Sequence, residues 1–365
     1  MAVPIDLLDA RLGRALEAAA VSGLDVLLVT TPANVTYLTG LRISAGMLAL
    51  GAGRATLVVD GRYLEAATAG VSGRAAMGLH AVVPGGSYEE AIAELVRSLG
   101  GATVGVEAGH MTVGRLAAIR RQIDGSASRR EWREIDGLIE GLRAIKDPWE
   151  RQTLRDAGGR LSSVAACILP KVSAGRTERQ VAWDIDVALR SAGFERPAFE
   201  TIVAAGPHAA RPHHRPTDRR LEPGDLVLVD FGGQLDGYHV DMSRTVALGD
   251  VGARRRHWLE AVAAAQAAAI AAVAPGRPPS QVDAAARQRL AAEGLADYFV
   301  HSTGHGLGLD VHERPTIGTR GDAAGPLAID MAFTIEPGVY VSGEGGVRIE
   351  DDVLVTATGA ERLTY

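Results

Sequence analysis

Asp230, Asp241, His305, Glu336 and Glu350 are the side chains whose types and spacing could do chemistry. Four carboxylates and one imidazole form an oxygen-rich donor set, which suits a pair of divalent cations better than a single structural zinc. Two cations held about 3.5–4 Å apart by shared carboxylates can generate a hydroxide at neutral pH and clamp a scissile group. The set points to a dinuclear metallohydrolase.

Local sequence says how each ligand is placed. Asp230 closes the apolar run Leu226-Val-Leu-Val, and Asp241 lies in Gly237-Tyr-His-Val-Asp. Between them Asp236-Gly237 predicts a two-residue hairpin turn. That turn pairs Leu235 with Tyr238 and Gly232 with Asp241, so Asp230 becomes a same-face diagonal neighbour of Asp241, about 7–8 Å away along the backbone. Gly232 and Gly233 are expected to keep side chains out of the gap between the two carboxylates. A second pair repeats the device. Phe333-Thr-Ile-Glu ends in Glu336, Gly346-Val-Arg-Ile-Glu supplies Glu350, and residues 342–346 between them predict a turn. By the two-residue strand period Arg348 shares the face of Glu350 and is expected to orient or neutralise it. His305 comes from the glycine-rich run His301-Ser-Thr-Gly-His-Gly-Leu-Gly-Leu-Asp-Val-His312-Glu313.

Taken singly, each carboxylate would be read as a turn residue or a solvated charge. Three of them instead end apolar, strand-like runs, where an unpaired charge is costly. His80, His110 and His257 have no such surroundings and are read as ordinary histidines. His239, two residues before Asp241, is assigned a surface or supporting role. Gly304-His-Gly-Leu-Gly308 lacks the lysine and the Ser/Thr of a phosphate loop.

These segments together resemble the pita-bread metallopeptidases. Thr201-Ile-Val-Ala-Ala-Gly206 and Pro212-His213-His-Arg-Pro-Thr217 resemble the branch that cleaves Xaa-Pro bonds, the prolidases and aminopeptidases P. The resemblance implies an α/β chain with a creatinase-like N-terminal domain over residues 1–140 and a pita-bread catalytic domain over 141–365. It implies two divalent ions, Mn²⁺ foremost with Co²⁺ or Zn²⁺ able to occupy the same shell. Asp230 would chelate one ion, His305 and Glu336 the other, and Asp241 and Glu350 would bridge. Glu336, His213 and His312 would be catalytic, and His213, His301, His312 and Arg348 would bind substrate. The implied activity is Xaa-Pro dipeptidase, with an aminopeptidase acting on longer peptides as the alternative and methionine aminopeptidase behind it. A homodimer is the implied assembly. Two departures stand out: Gly206-Pro-His208-Ala replaces a more usual polar residue before a small one, and Asp330 stands where relatives commonly have glycine.

The remaining sequence supplies elements to hold these groups. Residues 24–67 read as strands punctuated by turns, with amphipathic helices near 9–22, 88–99 and 113–123. Lys146-Asp-Pro148 reads as a charged linker whose proline starts the next helix. Further helices are predicted near 149–169, 176–192, 255–274 and 279–293. Net charge is −6 with 47% hydrophobic residues, which excludes a basic footprint for nucleic acid and supplies ample core. One cysteine, Cys167, precludes an intramolecular disulfide and fits a reducing, cytoplasmic setting. No signal-peptide pattern and no membrane-length apolar run are present, so no membrane span is expected; the resemblance implies short proline-containing peptides as partners. Lys146 and Lys171 are the only lysines among 38 basic side chains, a bias read as coding preference.

Overall fold

The structure, a computed structural model, describes residues 2–81, 86–123 and 130–365. It divides into two compact units, Met1–Arg143 and Ala144–Tyr365.

The first unit is a mixed sheet with helices. Its strands are β1 (Val26–Val29), β2 (Met47–Gly51), β3 (Arg54–Val59), β4 (Met77–Ala81), β5 (Thr103–Glu107) and β6 (Glu131–Ile135), ordered β4-β3-β2-β1-β5-β6. The β1–β2 and β2–β3 pairs are antiparallel and the outer pairs parallel. The helices are α1 (Ile5–Val21), α2 (Pro32–Thr39), α3 (Leu64–Val71), α4 (Tyr88–Leu99), α5 (Val113–Ile123) and α6 (Leu138–Ala144). Helices α1, α4 and α5 fall where the apolar periodicity placed them. Ser87 and Glu90 close a reciprocal capping box on α4, which fixes its start.

The second unit begins with α7 (Pro148–Ile168), where Asp147 caps and Pro148 takes the first helical position, a place where its missing N–H is not needed. Helix α8 (Glu178–Ser191) follows, then the strands β7 (Arg196–Pro197), β8 (Ile202–Ala205), β9 (Leu226–Leu235) and β10 (Tyr238–Ala247). Helices α9 (Gly252–Ala272) and α10 (Pro279–Ala292) precede β11 (Gly304–Gly306), β12 (Glu313–Ile317), β13 (Ala332–Ile335), β14 (Gly338–Val341), β15 (Gly345–Arg348), β16 (Asp351–Thr356) and β17 (Gly359–Arg362). One sheet runs β10-β9-β7 with β8 also on β9, another runs β12-β11-β13-β16-β17, and β14–β15 form a hairpin. One core packs α7 and α8 against Val227, Val229 and Phe231 of β9 and Tyr238, Val240 and Met242 of β10. A second packs α9 and α10 against Phe333, Ile335, Val353 and Val355. Each sheet thus has one face under helices, and the other face is left for polar side chains.

Asp330, the departure from glycine, has φ +71°, in the left-handed region that aspartate tolerates better than most residues. A glycine would meet the same backbone demand without a Cβ.

Candidate metal centre

The β9–β10 hairpin has the register that its turn predicted. Leu235 pairs with Tyr238, Gly232 with Asp241 and Asp230 with Ser243, and both turn residues have positive φ, Asp236 at +50° and Gly237 at +87°. Alternation sends Val229, Phe231, Val240 and Met242 into the helix-covered core, and so Asp230, Asp241 and Ser243 share the opposite face.

Gly232 and Gly233 serve a different purpose from the expected one. A Cβ on Gly232 would lie 2.3 Å from Val240 O, and one on Gly233 would lie 2.4–2.6 Å from the Phe194 ring. They admit the partner strand and a phenylalanine rather than making room for ligands.

The second sheet meets the hairpin edge-on. Asp241 N donates to Asp352 Oδ2 at 2.9 Å, and Glu350 N donates to Ser243 O at 3.1 Å. Glu350 lies in the break between β15 and β16, where the strand period lapses. His305 sits on β11 and Glu336 just past β13, with His305 Nε2 3.4 Å from Glu336 Oε1. Thr334 ties the two: its hydroxyl accepts from His305 N at 3.1 Å and donates to Glu336 Oε1 at 3.2 Å. Ligand atoms of Asp241, His305 and Glu350 all lie within 4.8 Å of one another.

The donor set fits divalent cations on three further grounds. One oxygen each of Asp230 (Oδ1), Asp241 (Oδ1) and Glu350 (Oε1) is buried without a protein partner, a state that is unfavourable unless something else binds there. The other oxygens of Asp230 and Glu350 are held by Arg348 Nη2 and by Ser243 Oγ at 2.7 Å. His305 Nδ1 lies 3.1 Å from Gly306 O; donating there leaves Nε2 as the lone-pair nitrogen a metal needs.

Arg348 is the hub behind the ligands. Besides Asp230 it donates from Nε to Ser243 Oγ at 2.8 Å, and from Nη1 to Tyr340 OH at 2.9 Å and Pro212 O at 3.3 Å. Its link to Glu350 therefore runs through Ser243 rather than directly. Tyr340 OH is also 2.8 Å from His301 Nε2. The His312 ring lies against that of His305, with centroids 4.1 Å apart and planes tilted by 56°. His213 is exposed and close enough for its charge to help lower His301 and His312. All nine predicted residues therefore surround one locus. His239, two residues before Asp241, is buried rather than on the surface, and its Nδ1 is 3.1 Å from Gly308 O.

Several participants carried no signal in the local sequence. Asp352 and Ser243 sit behind the ligands. Lys146, read as part of a charged linker, is 2% exposed and pairs with Glu313 Oε1 at 2.5 Å. Because Glu313 follows His312, this buried pair helps fix the strand edge that bears that imidazole. An ion pair so buried should be sensitive to loss of either partner.

Burial dominates the electrostatics. It pushes the Glu336 carboxyl up to about 8, with Arg348 opposing and Asp230 reinforcing. Burial first, then repulsion among neighbouring carboxylates, holds Asp241 and Glu350 well above the usual range. Burial lowers His305 and His301 to about 4, so both imidazoles are neutral at working pH. A raised folded-state value stabilises below the unfolded value, ordinarily 4.5 for glutamate, and that stability is lost as pH rises toward 8. The neutral histidines act oppositely, but only below about 6.5. The melting temperature of chelator-treated protein is therefore expected to fall between pH 6.5 and 8.5. The drop should be a few degrees, since one unit on one group is about 1.4 kcal/mol, or about 2 °C for a chain of 365 residues. Saturating Mn²⁺ should abolish the slope, because cations replace the protons. A flat melting profile for the chelated protein would contradict this electrostatic picture.

Comparisons with known proteins show the family. Residues 152–357 match the model of metallopeptidase family M24, and residues 11–145 match the creatinase/prolidase N-terminal domain. The chain is 31% identical to an Xaa-Pro dipeptidase of Pyrococcus horikoshii, covering 99% of this chain and 98% of that one. It superposes on the Xaa-Pro dipeptidase of Bacillus anthracis with TM-score 0.91 and 32% identity, covering 98% and 97% of the two chains. An X-Pro aminopeptidase from Thermotoga maritima gives TM-score 0.86 at 28% identity, with 97% of each chain covered.

Proposed function

The chain belongs to metallopeptidase family M24, and from that membership and the ligand geometry we propose that it hydrolyses Xaa-Pro dipeptides. The observation that carries the reading is the trio of buried, partnerless carboxylate oxygens on Asp230, Asp241 and Glu350 beside a correctly tautomerised His305. Asp230, Asp241, His305, Glu336 and Glu350 would together hold the two ions, three of them offering ligand atoms within 4.8 Å of one another. Mn²⁺ is the proposed metal, since four carboxylates favour a hard ion, and Co²⁺ or Zn²⁺ can fill the same shell. When bound, such a pair activates water and polarises the carbonyl before proline.

The chain's own groups do the rest. Glu336 accepts the proton of the attacking water and returns it to the proline nitrogen, which leaves poorly as an anion. His213 and His312 hydrogen-bond the substrate carbonyl and the developing charge. His301, fixed by Tyr340 and by Ser302 O at 2.8 Å, lines the proline pocket. Arg348 acts on substrate through the groups that it orients, namely Asp230, Tyr340 and the Pro212 carbonyl.

A dipeptidase must also recognise the free carboxylate of proline. Neutral His301 cannot supply that charge, which leaves Arg211 and Arg215, both exposed. Ala-Pro is accordingly expected to be cleaved at least about tenfold more efficiently than Ala-Pro-Ala, the roughly 1.4 kcal/mol worth of one charged contact. The reverse order in kcat/KM would move the assignment to an aminopeptidase. Rapid cleavage after methionine with none before proline would move it to a methionine aminopeptidase. We place the enzyme in the cytoplasm as a homodimer; sedimentation as a monomer at micromolar concentration would count against the dimer. Among the described residues no helix is long and apolar enough to cross a membrane.

A further inference from the structure

Glu178 belongs to none of the ligand motifs, yet its side chain is wholly buried at the first turn of α8. Its two oxygens accept five hydrogen bonds. Oε1 receives Ala205 N and His208 Nδ1, each at 2.9 Å. Oε2 receives His214 Nε2 at 3.0 Å, Thr217 N at 2.9 Å and Thr217 Oγ1 at 2.6 Å. Every donor comes from one stretch, residues 205–217, including both of its ends. Burial opposes the negative charge, but the donors from Thr217, Ala205 and His214 outweigh it and hold the carboxyl below its ordinary value.

That stretch carries His213. The adjacent imidazoles face opposite ways: His214 is buried on Glu178 while His213 is exposed near His301 and His312. The carbonyl of Pro212 is gripped by Arg348 at 3.3 Å. The loop is thus tied from inside by Glu178 and from the metal side by Arg348, with His213 between the two ties. We infer that Glu178 is the positioning residue for His213, acting on Xaa-Pro hydrolysis only by fixing the loop that presents this imidazole.

Glu178, His208 and His214 could alternatively converge on a metal ion. The geometry favours the anchor. The two rings lie nearly side by side, 4.4 Å apart and tilted by 36°, with their nitrogens on different carboxylate oxygens. The N–H and O–H groups of Ala205 and Thr217 point at those same oxygens, where a cation would meet their hydrogens.

This inference rests on the proposed function, so its test keeps the two apart. Glu178→Gln preserves volume but turns an amide into a nest of donors. In metal-loaded enzyme with Ala-Pro, it is expected to lower kcat by about 10²-fold, near the scale of losing one oxyanion donor. KM and metal content should change little. His213→Ala is expected to lose about 10²–10³-fold, and His312→Ala should behave alike. The double variant Glu178→Gln/His213→Ala should be no slower than His213→Ala alone, because a positioning residue has nothing left to position. Multiplying losses, normal turnover by Glu178→Gln, or loss of the catalytic metals would each overturn the inference. So would an additional divalent ion bound by the wild-type protein and lost with Glu178→Gln. Should Glu178→Gln not fold, His214→Gln, which keeps an N–H donor, is expected to retain turnover while His214→Leu loses it; equal turnover would overturn the idea. If the wild type does not cleave Ala-Pro, the functional reading fails by itself. The anchor is then read by hydrogen exchange over residues 206–217, faster in Glu178→Gln if the inference holds and unchanged if it does not.

Discussion

Asp241→Asn is expected to strip the enzyme of its metals and bring turnover to background. Asp241 stands at the junction of the two sheets, its backbone N–H fixed by Asp352 and its Oδ1 buried without a partner. An amide there offers one weak oxygen and two hydrogens to a site built for cations. The cation pair supplies several kcal/mol of transition-state stabilisation, so the loss is expected to be at least about 10³-fold. Glu350→Gln should match it, because Ser243 holds Glu350 Oε2 and leaves Oε1 facing the same space. Stability should move the other way. At pH 8.5 the chelated wild type must keep several mutually repelling carboxylates buried, and either variant removes one. Metal-free Asp241→Asn is therefore expected to melt no lower than metal-free wild type. Stoichiometric metal and normal turnover in Asp241→Asn would remove it from the ligand set.

The ligand-bearing strands were legible because their signals are local. Asp236-Gly237 fixes the turn, the turn fixes the register, and the register decides that Asp230 and Asp241 face together. The α/β layering and helices α1, α4, α5 and α7 to α10 followed from periodicity in the same way, but Pro32–Thr39, inside the stretch read as strands, is helix α2, where Pro32 at the first helical position outweighs the β-branched Val35, Thr36 and Thr39. What lies behind the ligands was not legible. Glu178 looks like any polar residue in a first helical turn, and its partners lie 27 to 39 positions away. Lys146 meets Glu313 across 167 positions, a contact that no period or spacing encodes. Arg348 was placed beside Glu350 by strand alternation, but the strand breaks at Ile349 and Glu350; the guanidinium hydrogen-bonds Asp230 and Ser243 while its charge still favours the Glu350 carboxylate. Gly232 and Gly233 were read as clearing the gap between the carboxylates, yet the groups they admit are Val240 O and the Phe194 ring. Local rules thus located the chemistry, and tertiary packing decided which groups hold it in place.

Glu336→Gln separates the two duties proposed for one side chain. A glutamine keeps a neutral oxygen near His305, so it can still help hold an ion, though more weakly. It cannot take a proton. Glu336 is well placed for both duties: its backbone N–H donates to Thr303 O at 2.7 Å, and Thr334 joins its Oε1 to the His305 main chain. With saturating Mn²⁺, Glu336→Gln is expected to retain metal while kcat falls by about 10²–10⁴-fold, the range of a lost general acid–base group. KM for Ala-Pro should change far less, since the substitution touches proton transfer rather than binding. The acid limb of the kcat profile should vanish with the group that produced it. Asp241→Asn offers the contrast, because excess metal should not restore its sites. If Glu336→Gln lost both ions under the same excess, Glu336 would be a ligand only; if it turned over within threefold of wild type, another group would move the proton.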